Sequence, residues 1–204
     1  MMIYILAPLF GYLLGSVPFG LVLCKLFGYG DIRKIGSGNI GATNVLRTGS
    51  KPLALATLLL DCGKGAIAVW LTYNMVYFES VIGMVTFEAA MLAGLGAILG
   101  HLYPVWLKFR GGKGVATTLG TLIAIAPPVG ISACGIWLLM AGIFKISSLA
   151  ALVAIGFTPL IAHYAYHDSN LSGLCAVIAA LIWIKHRANI KRLFMGEEPK
   201  IGKK

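Results

Sequence analysis

Residues 115–144 have the sequence VATTLGTLIAIAPPVGISACGIWLLMAGIF, an uncharged run of 30 residues. A single membrane-spanning helix needs about 20 apolar residues, so this run is too long for one span. Pro127 and Pro128 lie near its middle, and proline interrupts a helix because it lacks the backbone N–H and its ring clashes with the preceding turn. The run therefore predicts two helices, a short one before the prolines and a full-length one after them.

The rest of the chain carries five further apolar runs, at Ile3–Phe27, Leu53–Tyr73, Val81–Leu102, Ser147–Tyr164 and Leu171–Ile184. The 204 residues are 58% hydrophobic and 12% charged, with a mean hydropathy of +0.86. This composition predicts an all-α polytopic integral membrane protein with about seven transmembrane helices. One kinked helix with a re-entrant piece at residues 115–144 would lower the count to five or six. No linker divides the chain, so residues 1–204 are expected to form a single membrane-embedded domain.

Lysine and arginine are concentrated in some of the predicted connections between spans and absent from others. Residues 25–51 hold five, residues 102–114 hold three and the tail from Lys185 holds seven. The neutral connections are residues 74–80, 127–128 and 165–170. Seven spans place every basic segment on one side, and basic segments face the cytoplasm. We therefore expect the N-terminus outside and the C-terminus in the cytoplasm.

Glycines and cysteines within the spans have structural interpretations. The pairs Gly11/Gly15 and Gly96/Gly100 have the four-residue spacing typical of close contacts between membrane helices. The four cysteines lack paired spacing, so we expect neither a disulfide nor a zinc site. His163 and His167 have metal-ligand spacing on a helix, but they lie at the neutral end of a span, and no metal site is predicted.

Two glycine-rich basic loops interrupt the apolar pattern. Residues 36–47 have the sequence GSGNIGATNVLR, and residues 110–114 have the sequence RGGKG. Glycine lets the backbone approach an anion closely, and a neighbouring Lys or Arg supplies the opposing charge. The cytoplasmic bias toward basic residues explains scattered lysines, but it does not explain basic residues inside glycine clusters. The loops therefore indicate a phosphate-bearing substrate handled at the membrane surface.

The second loop is predicted to be a turn that opens a helix, where the helix dipole, backbone N–H groups and Lys113 would all favour a phosphate. It lacks the spacing and the Gly-Lys-Ser/Thr ending of an ATP-binding P-loop, which disfavours ATP hydrolysis. A flexible connection between spans is the alternative.

The first loop adds hydrogen-bonding side chains. Arg47 can bind a phosphate through two parallel hydrogen bonds, and Asn44 shares its face on a helical turn. Ser37, Asn39 and Thr43 can also donate to an anionic oxygen, although a capping or turn role is the alternative for these three.

Two further pairs of polar residues are three positions apart in the sequence, as Asn44 and Arg47 are. His186 and Asn189 lie in a tail that is predicted to continue the last span, where an interfacial amphipathic helix is the alternative. Asp61 and Lys64 lie within a span and are expected to pair, with structural and functional roles both open. Glu88 has no obvious partner in the sequence.

Together these segments resemble the bacterial acyl-phosphate:glycerol-3-phosphate acyltransferase (PlsY) family over nearly the whole chain. Its three motifs are matched by residues 36–47, by residues 111–117, and by residues 185–189 with 196–198. Asp61–Gly65 and Ser147-Ser148 match two further segments.

The resemblance implies transfer of a fatty acyl group from acyl-phosphate to sn-glycerol 3-phosphate, the first acylation of phospholipid biosynthesis. The products would be 1-acylglycerol 3-phosphate and inorganic phosphate. It implies one acyltransferase domain in the bacterial inner membrane with a cytoplasmic active site, and a functional link to an enzyme that makes acyl-phosphate. Membrane lipid is an expected partner, whereas no cofactor or nucleic acid is expected.

The implied catalytic residues are Ser37, Asn44, Arg47, Lys113, His186 and Asn189. The implied substrate- or phosphate-binding residues are Gly36, Gly38, Asn39, Gly41, Thr43, Asp61, Lys64, Gly111, Gly112, Gly114, Thr117, Ser147, Ser148 and Glu198.

The hydroxyl proton must be taken up during acyl transfer, and few bases lie near the loops. His186, Asp61, Glu197 and Glu198 are candidates, but a substrate phosphate is the favoured acceptor. An organic-phosphate transporter is the alternative function. Transporters place substrate near the membrane midplane, whereas the polar motifs here cluster at one predicted face.

Overall fold

The computed structural model describes residues 2–79 and 83–201, and every regular element in this part of the chain is helical. The helices are α1 Ile3–Gly15, α2 Phe19–Leu26, α3 Ala42–Val45, α4 Lys51–Glu79, α5 Gly83–Leu102, α6 Val115–Ile125, α7 Pro127–Phe144, α8 Ser147–Gly156, α9 Thr158–Tyr166, α10 Ser169–Lys185 and α11 Arg187–Phe194. Short 3₁₀ turns occupy Ile32–Lys34, Leu46–Thr48 and Val105–Leu107. Residues 80–82, where the predicted neutral connection 74–80 meets the next predicted span, lie outside the described residues.

The helix break at Pro127-Pro128 is confirmed. Helix α6 ends at Ile125, and α7 begins at Pro127, where proline is tolerated because the first N–H of a helix has no intrahelical partner. A second break, between Gly15 and Phe19, was not predicted from the apolar run at residues 3–27. Pro18 causes it by removing a backbone donor, so α1 and α2 are separate helices.

Five helical segments within the described residues are long and apolar enough to cross a membrane: Ile3–Leu26, Lys51–Met75, Phe87–Leu107, Pro127–Phe144 and Ser147–Tyr166. The pair α10 and α11 raises the number to six if it is one bent span. Helix α6 has only 11 residues. The architecture is therefore a polytopic helical membrane protein with five or six such segments, and the predicted count of seven is not confirmed.

The chain divides into two compact units, the first ending at Ile125 and the second beginning at Ala126. In the first unit, α1 packs on α5 through the predicted glycine pairs. A Cβ on Gly11 or Gly15 would overlap backbone carbonyls of α5, and a Cβ on Gly96 or Gly100 would overlap those of α1. The two glycine pairs thus interlock, and the predicted close helix contact is confirmed.

In the second unit, α7 packs against α8 and α9, while α10 packs against α8 and α9. The tail was predicted to continue the last span, but α11 turns away from α10 by 66°. The bend lies at His186, whose backbone N–H is shared between the carbonyls of Ile182 and Trp183. This sharing tightens and ends the last turn of α10.

Candidate functional site

The first glycine loop stands on a hydrophobic base in the first unit. Ile32, Ile40 and Val45 are buried together with residues of α2 and α4, and Leu107 of the second loop region packs against the same cluster. The 3₁₀ turn that precedes the second glycine loop therefore packs on the same base as the first loop. Asp31 caps the 3₁₀ turn at the start of the loop, and hydrogen bonds from the Arg33 side chain hold the pKa of Asp31 below its usual range.

Asn44 organises the first loop from within. Its side chain is 1% exposed, and the two hydrogens on its Nδ2 are shared among the backbone carbonyls of Ile32, Ile35 and Asn39, at N–O distances of 2.8–3.1 Å. Its Oδ1 accepts from the backbone N–H of Ser37 at 3.1 Å and from the Ser37 hydroxyl at 3.3 Å. These hydrogen bonds hold the loop in shape, and the catalytic role predicted for Asn44 stays a prediction.

Arg47 lies over the glycines of the same loop. Its Nη1 is 3.4 Å from Asn44 Oδ1, which confirms that the two side chains share a face. A Cβ on Gly36 would lie 2.6 Å from Arg47 Cδ and Nη1, so a larger residue would force the arginine side chain to shift. Gly36 and Gly38 also have φ of +53° and +70°, a region that favours glycine.

The outer part of this loop is open to solvent. Gly36, Ser37, Gly38 and Thr43 are exposed, whereas Arg47 is half-buried. Asn39 and Gly41 are also half-buried. A polar ligand can therefore approach the exposed backbone from outside and meet the guanidinium of Arg47.

The second loop closes back onto the end of α5. Backbone N–H groups of Gly111 and Gly112 donate to the carbonyls of Leu102 and His101 at 3.3 and 3.0 Å. A Cβ on Gly111 would overlap His101 O and Pro104, so this closure requires glycine. Gly114 has φ of +82°, and α6 begins at the next residue, as predicted. Lys113 is half-buried within the turn.

Asp61 and Lys64 form the predicted pair, with Lys64 Nζ 2.8 Å from Asp61 Oδ1. Both side chains are at most 3% exposed. Lys64 also donates to the Val17 carbonyl at 2.9 Å, in the break before Pro18, and lies over the Phe19 ring. These contacts to protein give the pair a structural role, and a role in binding substrate stays a prediction.

Thr117 lies in the first turns of α6 and is fully buried. Its methyl group and carbonyl pack against Gly65 of α4. Among the described residues, its hydroxyl has no hydrogen-bond partner, and the same holds for Thr118 and Thr121. The predicted substrate role of Thr117 therefore stays a prediction for a residue that packs between helices.

In the second unit, Glu198 gathers three donors. Its carboxylate accepts from the Ser148 hydroxyl at 2.7 Å, from Arg192 Nε at 2.7 Å and from the Asn189 side-chain amide. Burial alone would raise the pKa of Glu198, but these hydrogen bonds outweigh it and hold the pKa below its usual value. Three predicted site residues, Ser148, Asn189 and Glu198, therefore meet in one cluster.

His186 is 2% exposed, and its Nδ1 lies 2.8 Å from the Ile182 carbonyl. In the tautomer that carries its proton on Nδ1, the ring donates to that carbonyl, and the catalytic role of His186 stays a prediction. Ser147, at the start of α8, is half-buried.

Two residues gain partners that the sequence did not reveal. Glu88 accepts a hydrogen bond from the Tyr4 hydroxyl at 3.0 Å. His101 is 4% exposed and places Nδ1 3.6 Å from Asp61 Oδ1. Its position at the end of an apolar run, shortly before the second loop, was the one sequence signal that could have drawn attention to it.

The chain matches the family model described as glycerol-3-phosphate acyltransferase over residues 5–196. A glycerol-3-phosphate acyltransferase of Paramagnetospirillum magneticum is 58% identical over 97% of this chain and 94% of the relative. One of Jannaschia sp. is 55% identical over 97% and 93%.

Two crystal structures of PlsY, an integral membrane glycerol 3-phosphate acyltransferase, are also similar. The glycerol 3-phosphate form is 38% identical with a TM-score of 0.88, covering 98% of this chain and 96% of that one. The lysophosphatidic acid form is 37% identical with a TM-score of 0.84, covering 98% and 95%. This chain therefore belongs to the glycerol-3-phosphate acyltransferase family.

Proposed function

We propose that this protein transfers a fatty acyl group from acyl-phosphate to the primary hydroxyl of sn-glycerol 3-phosphate. The observation that carries the proposal is the 38% identity to PlsY in its glycerol 3-phosphate form over 98% of this chain. The exposed glycine backbone beneath Arg47 and the closed turn around Lys113 suit substrates that both carry phosphate.

The reaction needs no group beyond its two substrates. The hydroxyl oxygen attacks the acyl carbonyl carbon, a carbon–oxygen ester bond forms, and the bond from that carbon to the phosphate oxygen breaks. The hydroxyl proton leaves with the released phosphate, so the protein has to position two anions and offset their repulsion. Ser37, Arg47 and Lys113 supply donors and charge for this purpose, while Asn44 keeps the first loop in shape. His186 and Asn189 are proposed to orient the glycerol or the acyl carbonyl.

The membrane arrangement is part of the proposal. Residues 1–204 would form one acyltransferase domain in the bacterial inner membrane, with α6 as a short seventh span. The N-terminus would lie outside, and the basic loops and the C-terminus would face the cytoplasm, because loops rich in lysine and arginine stay on that side. An enzyme that makes acyl-phosphate would supply the donor.

The direct test uses purified protein with acyl-phosphate and glycerol 3-phosphate. We expect lysophosphatidate and inorganic phosphate in equal amounts, detected by mass spectrometry and a phosphate assay. Uptake of glycerol 3-phosphate into proteoliposomes without donor, and without acyl transfer, would instead indicate a transporter.

Lys113→Ala should cost about 2–4 kcal/mol of transition-state stabilisation, typical of losing one charged donor. Lys51→Ala, at an exposed residue at the start of α4, is the matched control.

Orientation is tested by labelling in intact cells. In a variant lacking the four native cysteines, a cysteine at Asp168 should react with a membrane-impermeant thiol reagent. A cysteine at Ser37 should react only after the membrane is opened. External labelling at Ser37 would contradict a cytoplasmic active site.

A further inference from the structure

A buried cluster of ionisable groups lies directly behind the second glycine loop. Asp61 Oδ1 is 2.8 Å from Lys64 Nζ and 3.6 Å from His101 Nδ1. All three side chains are at most 4% exposed. A buried carboxylate is stable only with partners around it, and the lysine and the histidine lie beside Asp61 in that role.

His101 contacts the loop on its other side. A Cβ on Gly112 would overlap His101 Nε2 and would lie 3.0 Å from both Cδ2 and Cε1. The Gly112 backbone N–H also donates to the His101 carbonyl at 3.0 Å. The imidazole ring is therefore the surface on which Gly112 rests, and Gly112 is the residue immediately before Lys113.

The ring has little freedom to move between these two contacts. Asp61 Oδ1 lies 3.6 Å from its Nδ1, an electrostatic contact longer than a hydrogen bond, and the buried Gly112 packs on its Nε2 side. A different ring orientation would displace the backbone at Gly112 and carry Lys113 and the start of α6 with it. Misplacing a substrate-positioning group by about 1 Å can cost roughly a hundredfold in rate.

We infer that His101, oriented by Asp61, is a positioning residue that sets the conformation of the Gly111–Gly112–Lys113 segment for binding phosphate. The inference rests on the proposed function, because it takes phosphate as the ligand of that segment. In this inference, Asp61 and Lys64 act indirectly on the second glycine loop, through the histidine that packs against it.

The test compares two replacements of His101 in the full-length protein. His101→Phe keeps a flat ring and removes both nitrogens, whereas His101→Asn keeps a donor near the position of Nδ1. The readouts are the KM for glycerol 3-phosphate, kcat, and the affinity for inorganic phosphate measured by calorimetry without donor or acceptor. His163→Phe, at an exposed histidine, is the matched control.

We expect His101→Phe to raise the KM and to weaken phosphate binding together, each by roughly tenfold or more. His101→Asn should recover part of both losses, because its amide can donate to Asp61. A residue that only stabilised the fold would reduce the amount of active protein, which lowers apparent kcat and leaves the KM and the phosphate affinity unchanged.

Unchanged KM and phosphate affinity in His101→Phe would overturn the inference, and so would equal losses in the two variants. Should the Phe variant not fold, His101→Asn and Asp61→Asn carry the same comparison, and wild-type phosphate affinity in both would overturn it. Failure of the proposed function gives a different result, since the wild-type protein would then make no lysophosphatidate whatever its affinity for phosphate.

Discussion

Two segments of this protein are each organised by one side chain, the first glycine loop by Asn44 and the C-terminal tail by Glu198. Asn44 is a neutral amide that holds three backbone carbonyls and a backbone N–H. Glu198 is a carboxylate that holds only donors, from Ser148, Asn189 and Arg192. An amide suits a loop in which both kinds of backbone group must be satisfied, and a carboxylate suits a cluster of donors. The difference predicts that each position requires its own group, so that exchanging amide and carboxylate destabilises the protein at both.

Asn44→Asp should have the largest effect, because it keeps the shape of the side chain but replaces a donor by an oxygen that faces three carbonyls. We expect a loss of about 3 kcal/mol in the free energy of unfolding, from unsatisfied and repelling buried groups, together with loss of acyltransfer. Thermal unfolding in detergent and product formation are the measurements. Asn170→Asp, at an exposed position, should change stability by less than about 0.5 kcal/mol. Wild-type stability in Asn44→Asp would show that the amide does not hold the loop.

Glu198→Gln should be milder, at about 1–2 kcal/mol, because a glutamine oxygen still accepts but without the charge that strengthens these hydrogen bonds. Glu197→Gln is the matched control, since Glu197 is the exposed neighbour in the same tail. Equal melting temperatures for the two variants would mean that the charge of Glu198 does not stabilise the tail.

The prolines show what sequence could and could not predict about the fold. The break at Pro127-Pro128 was predictable because the run around it exceeds the length of one span. The break at Pro18 was not, because residues 3–27 fit a single span and length therefore demanded no division. Lys64 donates a hydrogen bond to the Val17 carbonyl at that break. The two residues are 47 positions apart in the sequence, so helical spacing cannot reveal this contact.

Some features of the candidate site were also predictable from the sequence, and others were not. Glycine beside lysine or arginine marked both loops, because that pairing has a local chemical reason, and the helix start after Gly114 was predicted correctly. The contacts of the residues depended on tertiary structure. Glu198 meets Ser148 across 50 residues, and Asp61 meets His101 from another helix. The spacing of Asp61 and Lys64 predicted their pairing but not the histidine beside them.

Each organising side chain also contacts an arginine, which sharpens the comparison. Arg47 Nη1 lies near Asn44 Oδ1 in the partly exposed loop, whereas Arg192 Nε donates to Glu198. Arg47→Lys keeps the charge but loses the planar guanidinium, so we expect kcat/KM to fall roughly tenfold if Arg47 also binds phosphate. Arg192→Lys should mainly lower the melting temperature. Full catalytic efficiency in Arg47→Lys would contradict phosphate recognition by two parallel hydrogen bonds at this residue.

The smallest expected effect is the pH dependence of stability. It distinguishes the C-terminal tail from the first glycine loop, because Glu198 titrates and Asn44 does not. The folded pKa of Glu198 is lowered below the unfolded value of about 4.3. Its contribution to stability is therefore complete above about pH 4.3 and is lost as the pH falls through the lower folded pKa. Because Arg192 is 36% exposed, solvent screens part of the interaction, and we expect a contribution of about 1 kcal/mol. That equals roughly 2–4 °C in melting temperature for a chain of this size.

The difference in melting temperature between wild type and Glu198→Gln should narrow from pH 6 to pH 3, while the difference between wild type and Asn44→Ala should keep its size. A gap at Glu198 that stayed constant down to pH 3 would show that its hydrogen bonds do not depend on the charge of the carboxylate.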